Sequence, residues 1–148
     1  EIFKQKISEA ESVSLSNIIN IINIHSREYL NVFFMDDPID VELKAFKDVK
    51  KNKKPQVNII VGYKSMDCDV NSLSGGEYDR VQMALTLAIS DMMNSPILLL
   101  DESISSLDEK TSESILQQIH KCSACSSKII INVAHQICSG SFEEIIKI

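Results

Sequence analysis

Two adjacent carboxylates, Asp101 and Glu102, follow the apolar run Ile97-Leu98-Leu99-Leu100 in a chain of 148 residues. Neighbouring acids leave a strand in different directions, so one can hold a cation while the other holds a water. Magnesium takes oxygen ligands and keeps several waters, so one carboxylate plus substrate phosphates is enough; Asp101 is the candidate metal ligand. Glu102 then suits a general base or water-positioner in phosphoryl transfer. Two acids can also merely finish a strand. Upstream, Leu73-Ser74-Gly75-Gly76-Glu77 opens a stretch in which Val81, Ala84, Leu85, Ala88 and Met92 recur at steps of three and four, one face of a helix. A Ser-Gly-Gly turn at a helix start leaves backbone N–H groups pointing outward, and the helix dipole adds partial positive charge. Such a turn suits an anion, most naturally phosphate, although it also caps helices for structural reasons. His135 ends a third apolar segment. A lone histidine is commonly structural; its place at a second strand end gives it a phosphate-sensing alternative.

The elements that must position these groups can be read in order. The segment 1–33 has no glycine or proline, and Leu15, Ile18, Ile19, Ile22, Tyr29 and Phe33 fall at helical spacing. Its early part is thin in apolar content and weak as an isolated helix. Asp36-Asp37-Pro38 stops it. Ile39, Val41, Leu43 and Ala45 then alternate with Asp40, Glu42, Lys44 and Phe46, a strand pattern with one lapse. Lys50-Lys51-Asn52-Lys53-Lys54-Pro55 reads as a basic turn, and Val57 to Val61 as the return strand of a hairpin. The basic tip is either a solvated turn or a contact for a nucleic-acid backbone. Tyr63 to Ser72 reads as a loop. Ile97 to Leu100 reads as a buried parallel strand with its acids at the C-terminal edge, where ligands bind in open α/β sheets. Asp108 is placed to cap a helix running to about Cys122. Lys128 to Val133 is a further strand, and Phe142 to Ile148 a last short one. Strand–helix–strand alternation predicts a parallel α/β layer behind an antiparallel hairpin.

Composition narrows the classes. Fifteen basic against twenty-one acidic residues give a net charge of −6, so any nucleic-acid contact must be local. No apolar run approaches the length of a membrane span. The polar start, Glu1-Ile2-Phe3-Lys4-Gln5-Lys6, does not read as a signal peptide. The first residue is not methionine, so a piece of a longer protein is expected. Four cysteines in an otherwise ordinary composition point to reduced thiols in a cytosol or nucleus. Cys122-Ser123-Ala124-Cys125 has no second Cys/His pair of matching spacing and is not read as a metal site.

The order of these motifs is recognisable. Leu73-Ser74-Gly75-Gly76-Glu77 resembles the signature motif of ABC-type ATPases. Ile97 to Glu102 resembles their Walker B strand with its catalytic glutamate, Ser105-Ser106-Leu107-Asp108 their D-loop, and Ala134-His135 their switch histidine. The resemblance covers about residues 73–136. The long leading helix and the lack of membrane segments make the chain similar to the SMC-like branch, and within it to the C-terminal half of the Rad-fifty/SbcC double-strand-break repair ATPases. It implies residues 1–33 as the root of a coiled coil and 34–148 as the C-terminal lobe of an ATPase head. It implies ATP and magnesium as cofactors, with Asp101 on the metal, and Glu102 and His135 as catalytic residues. Ser74, Gly75, Gly76, Glu77 and Asp108 would touch nucleotide across a head dimer. The implied partners are the N-terminal lobe of the same protein, a second head, a nuclease subunit and DNA, all inside the cell, in nucleus, cytoplasm or nucleoid.

One departure shapes these expectations. The four glycines are Gly62, Gly75, Gly76 and Gly140, and none begins Gly-x-x-x-x-Gly-Lys-Ser/Thr. The backbone cradle and lysine for the β- and γ-phosphates are missing; in the family they lie in the N-terminal half. The chain by itself should hydrolyse almost no ATP. A rival reading within the same branch is an SMC or cohesin-like tether. A transporter nucleotide-binding domain would share the motifs, but the long polar leading helix speaks against it.

Overall fold

The computed structural model describes residues 2–49, 52–63, 66–105, 107–126, 128–134 and 142–146. Helix α1 spans Ile2–Phe33, as its uninterrupted periodicity requires. Its first half is solvent-exposed. Its second half buries Ile19, Ile22, Tyr29, Leu30 and Phe33 in the core. Strands β1 (Ile39–Val49) and β2 (Asn52–Tyr63) form the antiparallel hairpin, and a third strand, β3 (Met66–Cys68), pairs with β2. The predicted alternation is real: Ile39, Val41, Leu43 and Ala45 are buried. Strand β1 is an edge of this sheet, and Asn23 of α1 closes it. The Asn23 side chain donates to the Leu43 carbonyl at 2.9 Å and accepts from the Leu43 N–H at 2.8 Å. A buried amide thus satisfies a strand edge that would otherwise be open to pairing.

Helix α2 (Gly75–Met92) packs on α1 and buries Val81, Ala84, Leu87 and Ala88. It ends at Asn94, whose φ of 49° closes the helix in the left-handed conformation that asparagine tolerates. Strand β4 (Ile97–Asp101), helix α3 (Glu109–Ser126) and strand β5 (Ile129–Val133) follow, with β4 and β5 parallel and in register from Ile97↔Ile129 to Asp101↔Val133. Leu100, Ile115, Leu116 and Ile119 join the α1 and α2 residues in one core. The chain is therefore α/β: a long helix, an antiparallel hairpin and a parallel layer.

Several expectations need correction. Of the turn expected at Lys50–Pro55, Asn52 to Pro55 belong to β2, while Lys50 and Lys51 lie outside the described residues. Pro55 stands where the register shifts between Lys44 and Phe46; a residue without an N–H is tolerated where the ladder is broken. The loop expected at Tyr63–Ser72 contains β3 and a 3₁₀ turn, Val70–Ser72. No strand forms in the described part of the last segment, 142–146. Phe142 packs against the core, whereas Ile145 and Ile146 stay exposed, and apolar character alone makes no strand without a neighbour to pair with. Strand β4 is not buried on both faces. Leu98 and Leu100 turn to the core, but Ile97 and Leu99 are 51% and 69% exposed, beside exposed Ile129, Ile131 and Val133 of β5.

Candidate functional site

Asp69 caps the 3₁₀ turn by accepting from the Asn71 N–H at 2.8 Å, and the chain then reaches Ser74 through half-buried Leu73. Ser74 is the N-cap of α2, in extended conformation (φ −64°, ψ 160°), and forms a capping box with Glu77. The Ser74 Oγ and backbone N–H donate to one oxygen of Glu77 at 2.7 and 2.8 Å, while the Glu77 N–H reaches back to Ser74 Oγ at 3.4 Å. The other Glu77 oxygen accepts from the Tyr63 hydroxyl at 2.7 Å, and that hydroxyl also contacts the Asp37 carboxylate. The Ser74 hydroxyl, then Tyr63 and the Ser74 N–H, hold the Glu77 carboxyl well below its usual range, at about 2, against a smaller opposing effect of burial. Glu77 is thus an anion at any physiological pH. It sits where the dipole of α2 favours negative charge.

Gly75 and Gly76 are helical, and neither is forced by the fold. A Cβ on Gly75 would meet nothing within 4 Å, and one on Gly76 only Leu107 Cδ2 at 3.8 Å, an ordinary contact. That contact sets the D-loop-like segment beside the signature-like turn. Asp108 caps α3 by accepting from the Thr111 N–H at 3.0 Å; the Thr111 side chain, then this backbone bond, lower its pKa. Arg80 locks the first turn of α2 to α1. It donates to the carbonyls of Gly76 (3.2 Å) and Phe33 (3.1 Å) and stacks its guanidinium 4.2 Å from the Phe34 ring centre. One side chain thereby satisfies a carbonyl at the end of α1 that has no helical partner.

The two acids lie elsewhere. Asp101 is the last residue of β4, and Glu102 follows with φ 49°. For a residue other than glycine this left-handed bend costs on the order of 1 kcal/mol. Surrounding bonds hold it: the Glu102 N–H donates to the Val133 carbonyl at 2.9 Å, and the Glu102 carbonyl accepts from the Ser105 N–H at 3.1 Å and Ser105 Oγ at 2.8 Å. Asp101, Glu102 and Ser103 line a cavity of about 230 Å³ with Leu100 and with Asp79, Gln82, Met83 and Thr86 of α2. The α2 residues fall at steps of three and four, so one helical stripe faces the acids. Sequence reasoning passed over Asp79, Gln82 and Thr86, although their polarity within a helical repeat was a readable signal. The donor set fits a magnesium ion held mainly by phosphates, which needs one or two carboxylates rather than a protein cage. Among the described residues no cluster of three or more His, Cys, Asp or Glu side chains could hold a metal by itself.

The predicted site residues therefore fall into two groups. Ser74, Gly75, Gly76, Glu77 and Asp108 gather at the N-terminal end of α2. Asp101 and Glu102 face its middle, roughly 12 Å away along the axis if Ser74 is compared with Gln82 at 1.5 Å per residue. His135 and Ser106 lie outside the described residues. No helix is long and apolar enough to cross a membrane among the described residues.

No family model matches the chain. It is 36% identical over 97% of its length to an uncharacterised protein of Invertebrate iridescent virus 6, and 36% identical over 97% to one of Invertebrate iridescent virus 3. The chain spans only 14% and 17% of those two relatives. It is 41% identical over 74 residues, half the chain and 30% of the relative, to an uncharacterised ABC transporter ATP-binding protein of Methanocaldococcus jannaschii. Among solved structures, the Smc head domain of Pyrococcus furiosus, with an extended coiled coil and bound to the C-terminal domain of ScpA, superposes with a TM-score of 0.71 at 17% identity, over 90% of this chain and 33% of that one. The Smc head of Pyrococcus yayanosii gives 0.69 at 18% identity over 88% and 25%. A chain from a study of ATP-driven dimerisation and DNA-stimulated activation of SMC ATPases gives 0.68 at 15% identity over 84% and 73%. These matches do not single out the Rad-fifty/SbcC branch; the fold is the one seen in SMC head domains.

Proposed function

We propose that the chain is the C-terminal half of an ATP-hydrolysing head. Residues 1–33 form the helix at the root of a coiled coil, and 34–148 form the C-terminal lobe. The N-terminal half of the same protein would supply the phosphate cradle that this chain lacks and cover the bare face of β4 and β5. Two such heads would pair on ATP. The observation that carries this reading is the separation along α2. The anion-binding turn and the acids are too far apart to share one phosphate within a copy. A second copy solves the geometry: Asp101 and Glu102 complete the site of their own head, while Ser74, Gly75 and Gly76 close on nucleotide held by the other. The lack of any local need for glycine at 75 and 76 supports the same reading, since a close outside approach does require it.

In this arrangement Glu102 orients the attacking water and takes its proton, from a backbone tied to Val133 and Ser105. Asp101 would hold magnesium, which would supply charge neutralisation at the phosphates. Asp108 runs across the seam beside Gly76, and His135 is assigned to sensing the terminal phosphate. The head would bind DNA within the cell and regulate a partner nuclease, as the repair resemblance implies. A second reading, a tether whose slow ATP cycle opens and closes a ring, is favoured by the ScpA-bound Smc heads among the structural neighbours. A nuclease co-purifying near the coiled-coil root would favour the first; a kleisin-type bridging chain would favour the second.

The test uses the full-length protein carrying Glu102→Gln. Turnover should fall roughly 10²- to 10⁴-fold, the usual effect of losing a general base, while ATP binding persists and an ATP-bound dimer accumulates in light scattering. Adding Ser74→Arg should abolish that dimer. A fall in turnover below about tenfold would remove Glu102 as the base. Dimerisation of the Ser74→Arg protein at ordinary ATP concentrations would remove the trans role of the turn.

A further inference from the structure

The donors at the head of α2 that suit an incoming phosphate are already occupied. Ser74 Oγ and the Ser74 N–H both donate to one oxygen of Glu77, at 2.7 and 2.8 Å. Glu77 is therefore more than a neighbour of the turn: its carboxylate fills the place of an anion ligand there. Its other oxygen is held by the Tyr63 hydroxyl at 2.7 Å. Tyr63 has a single hydroxyl proton but faces two carboxylates, Glu77 and Asp37. It can give that proton to either. If Glu77 moves away, the Tyr63 hydroxyl keeps an acceptor in Asp37, and the Ser74 donors gain phosphate oxygens in exchange for carboxylate oxygens. Each hydrogen bond lost has a replacement, so the exchange leaves no donor stranded.

We propose that Glu77 is a displaceable internal occupant of the signature turn, held in place by Tyr63 as a positioning residue, and that this contact sets how much ATP is needed to pair the heads. The inference rests on the head-pairing reading above and adds a regulatory contact to it. Pairing then requires the phosphate to displace a negative charge from the helix end or to bind beside it. Both oppose pairing until nucleotide is abundant. A capping box is also an ordinary device for starting a helix, and glutamine serves in it as well as glutamate does. Substituting Gln thus separates the two roles, because the cap survives and the charge does not.

The experiment follows the ATP dependence of dimerisation in the full-length protein, with Glu102→Gln as the parent to stop turnover. Glu77→Gln should lower the ATP concentration at half-maximal pairing by roughly fivefold or more, the effect of removing one charge about 4 Å away even in water-like dielectric. Its melting temperature without nucleotide should fall only modestly, since the cap survives while the charge that the helix dipole favours is lost. Tyr63→Phe should lower the same midpoint by a smaller factor, and should add little once Gln stands at 77, since the two residues act through one contact. A midpoint unchanged or raised by Glu77→Gln overturns the proposal. Should that protein fail to fold, Tyr63→Phe decides in the same way. A parent that never pairs with ATP, or a Ser74→Arg protein that still pairs, brings down the head-pairing reading and this inference together. Normal pairing and its loss in Ser74→Arg, with no shift from Glu77→Gln, bring down this inference alone.

Discussion

Gly75 and Gly76 occupy the first turn of α2 with no steric reason inside this chain to be glycine. Alanine at either position removes backbone freedom from the unfolded chain and fits the helix, so each substitution should leave the nucleotide-free head as stable as before, or more stable by about 0.5 kcal/mol. The same methyl groups would stand between the turn and any phosphate that approaches it closely. Gly75→Ala and Gly76→Ala should therefore weaken ATP-driven pairing while calorimetry of the unliganded head shows no loss. Destabilisation by both would mean that the glycines serve the fold rather than a ligand. The Glu102 bend shows the reverse relation: a non-glycine residue is held at φ 49° by bonds to Val133 and Ser105. A residue kept in a costly conformation by its surroundings is a common mark of functional geometry.

At the scale of elements, α2 is the organising rod. Its start carries the Ser-Gly-Gly turn, its middle lines the acid-bearing cavity, and its end is tied to α1 and Lys128 by a polar cluster. Lys128, just before β5, is 4% exposed at its side chain and donates to Asp91 and Ser90, both at 2.9 Å. Asp91 also accepts from the Tyr29 hydroxyl of α1. The cluster ties α1 and α2 to the residue that precedes β5. Removing one partner of such a pair leaves a desolvated charge behind, so Asp91→Ala should destabilise the head by about 3 kcal/mol, the lower end for buried pairs because the Asp91 side chain is 25% exposed. Denaturant unfolding of the full-length head measures this. A loss below about 1 kcal/mol, the range of exposed pairs, would show that the cluster is solvated. By the same standard, the exposed Lys110–Asp36 pair contributes little.

At the scale of the whole molecule, the open face of the parallel layer is the dominant feature. Ile97, Leu99, Ile129, Ile131 and Val133 line up on one side of two strands and are each at least half exposed. A two-stranded layer with a bare apolar face is poorly stable in water. Residues 1–148 expressed without the N-terminal half should fail to give a monodisperse, cooperatively melting monomer, and co-expression of that half should restore one. Leu99→Ser with Ile131→Thr should make the isolated chain more soluble and abolish its association with the N-terminal half. A well-behaved monomer of the unmodified chain would contradict the reading of this face as an internal seam.

Local rules in the sequence determined the helices, the hairpin alternation and the parallel strand pair. Their signals are periods of apolar residues, and α1, α2 and the Ile39–Ala45 pattern follow from them. Ser74 and Asp108 were legible as caps because capping is a matter of a few adjacent residues. Asp101 and Glu102 stood out because acids that end an apolar run are chemically conspicuous. Tertiary structure alone decided what lies across space. Tyr63 is far from Asp37 and Glu77 along the chain, and only the return of β2 brings its hydroxyl between them. Arg80 over Phe34 and Lys128 on Asp91 are likewise contacts between elements that no local period encodes. The half-open state of β4 was hidden for a different reason. A continuous apolar run records that both faces are to be covered, but not whether the cover belongs to this stretch of chain.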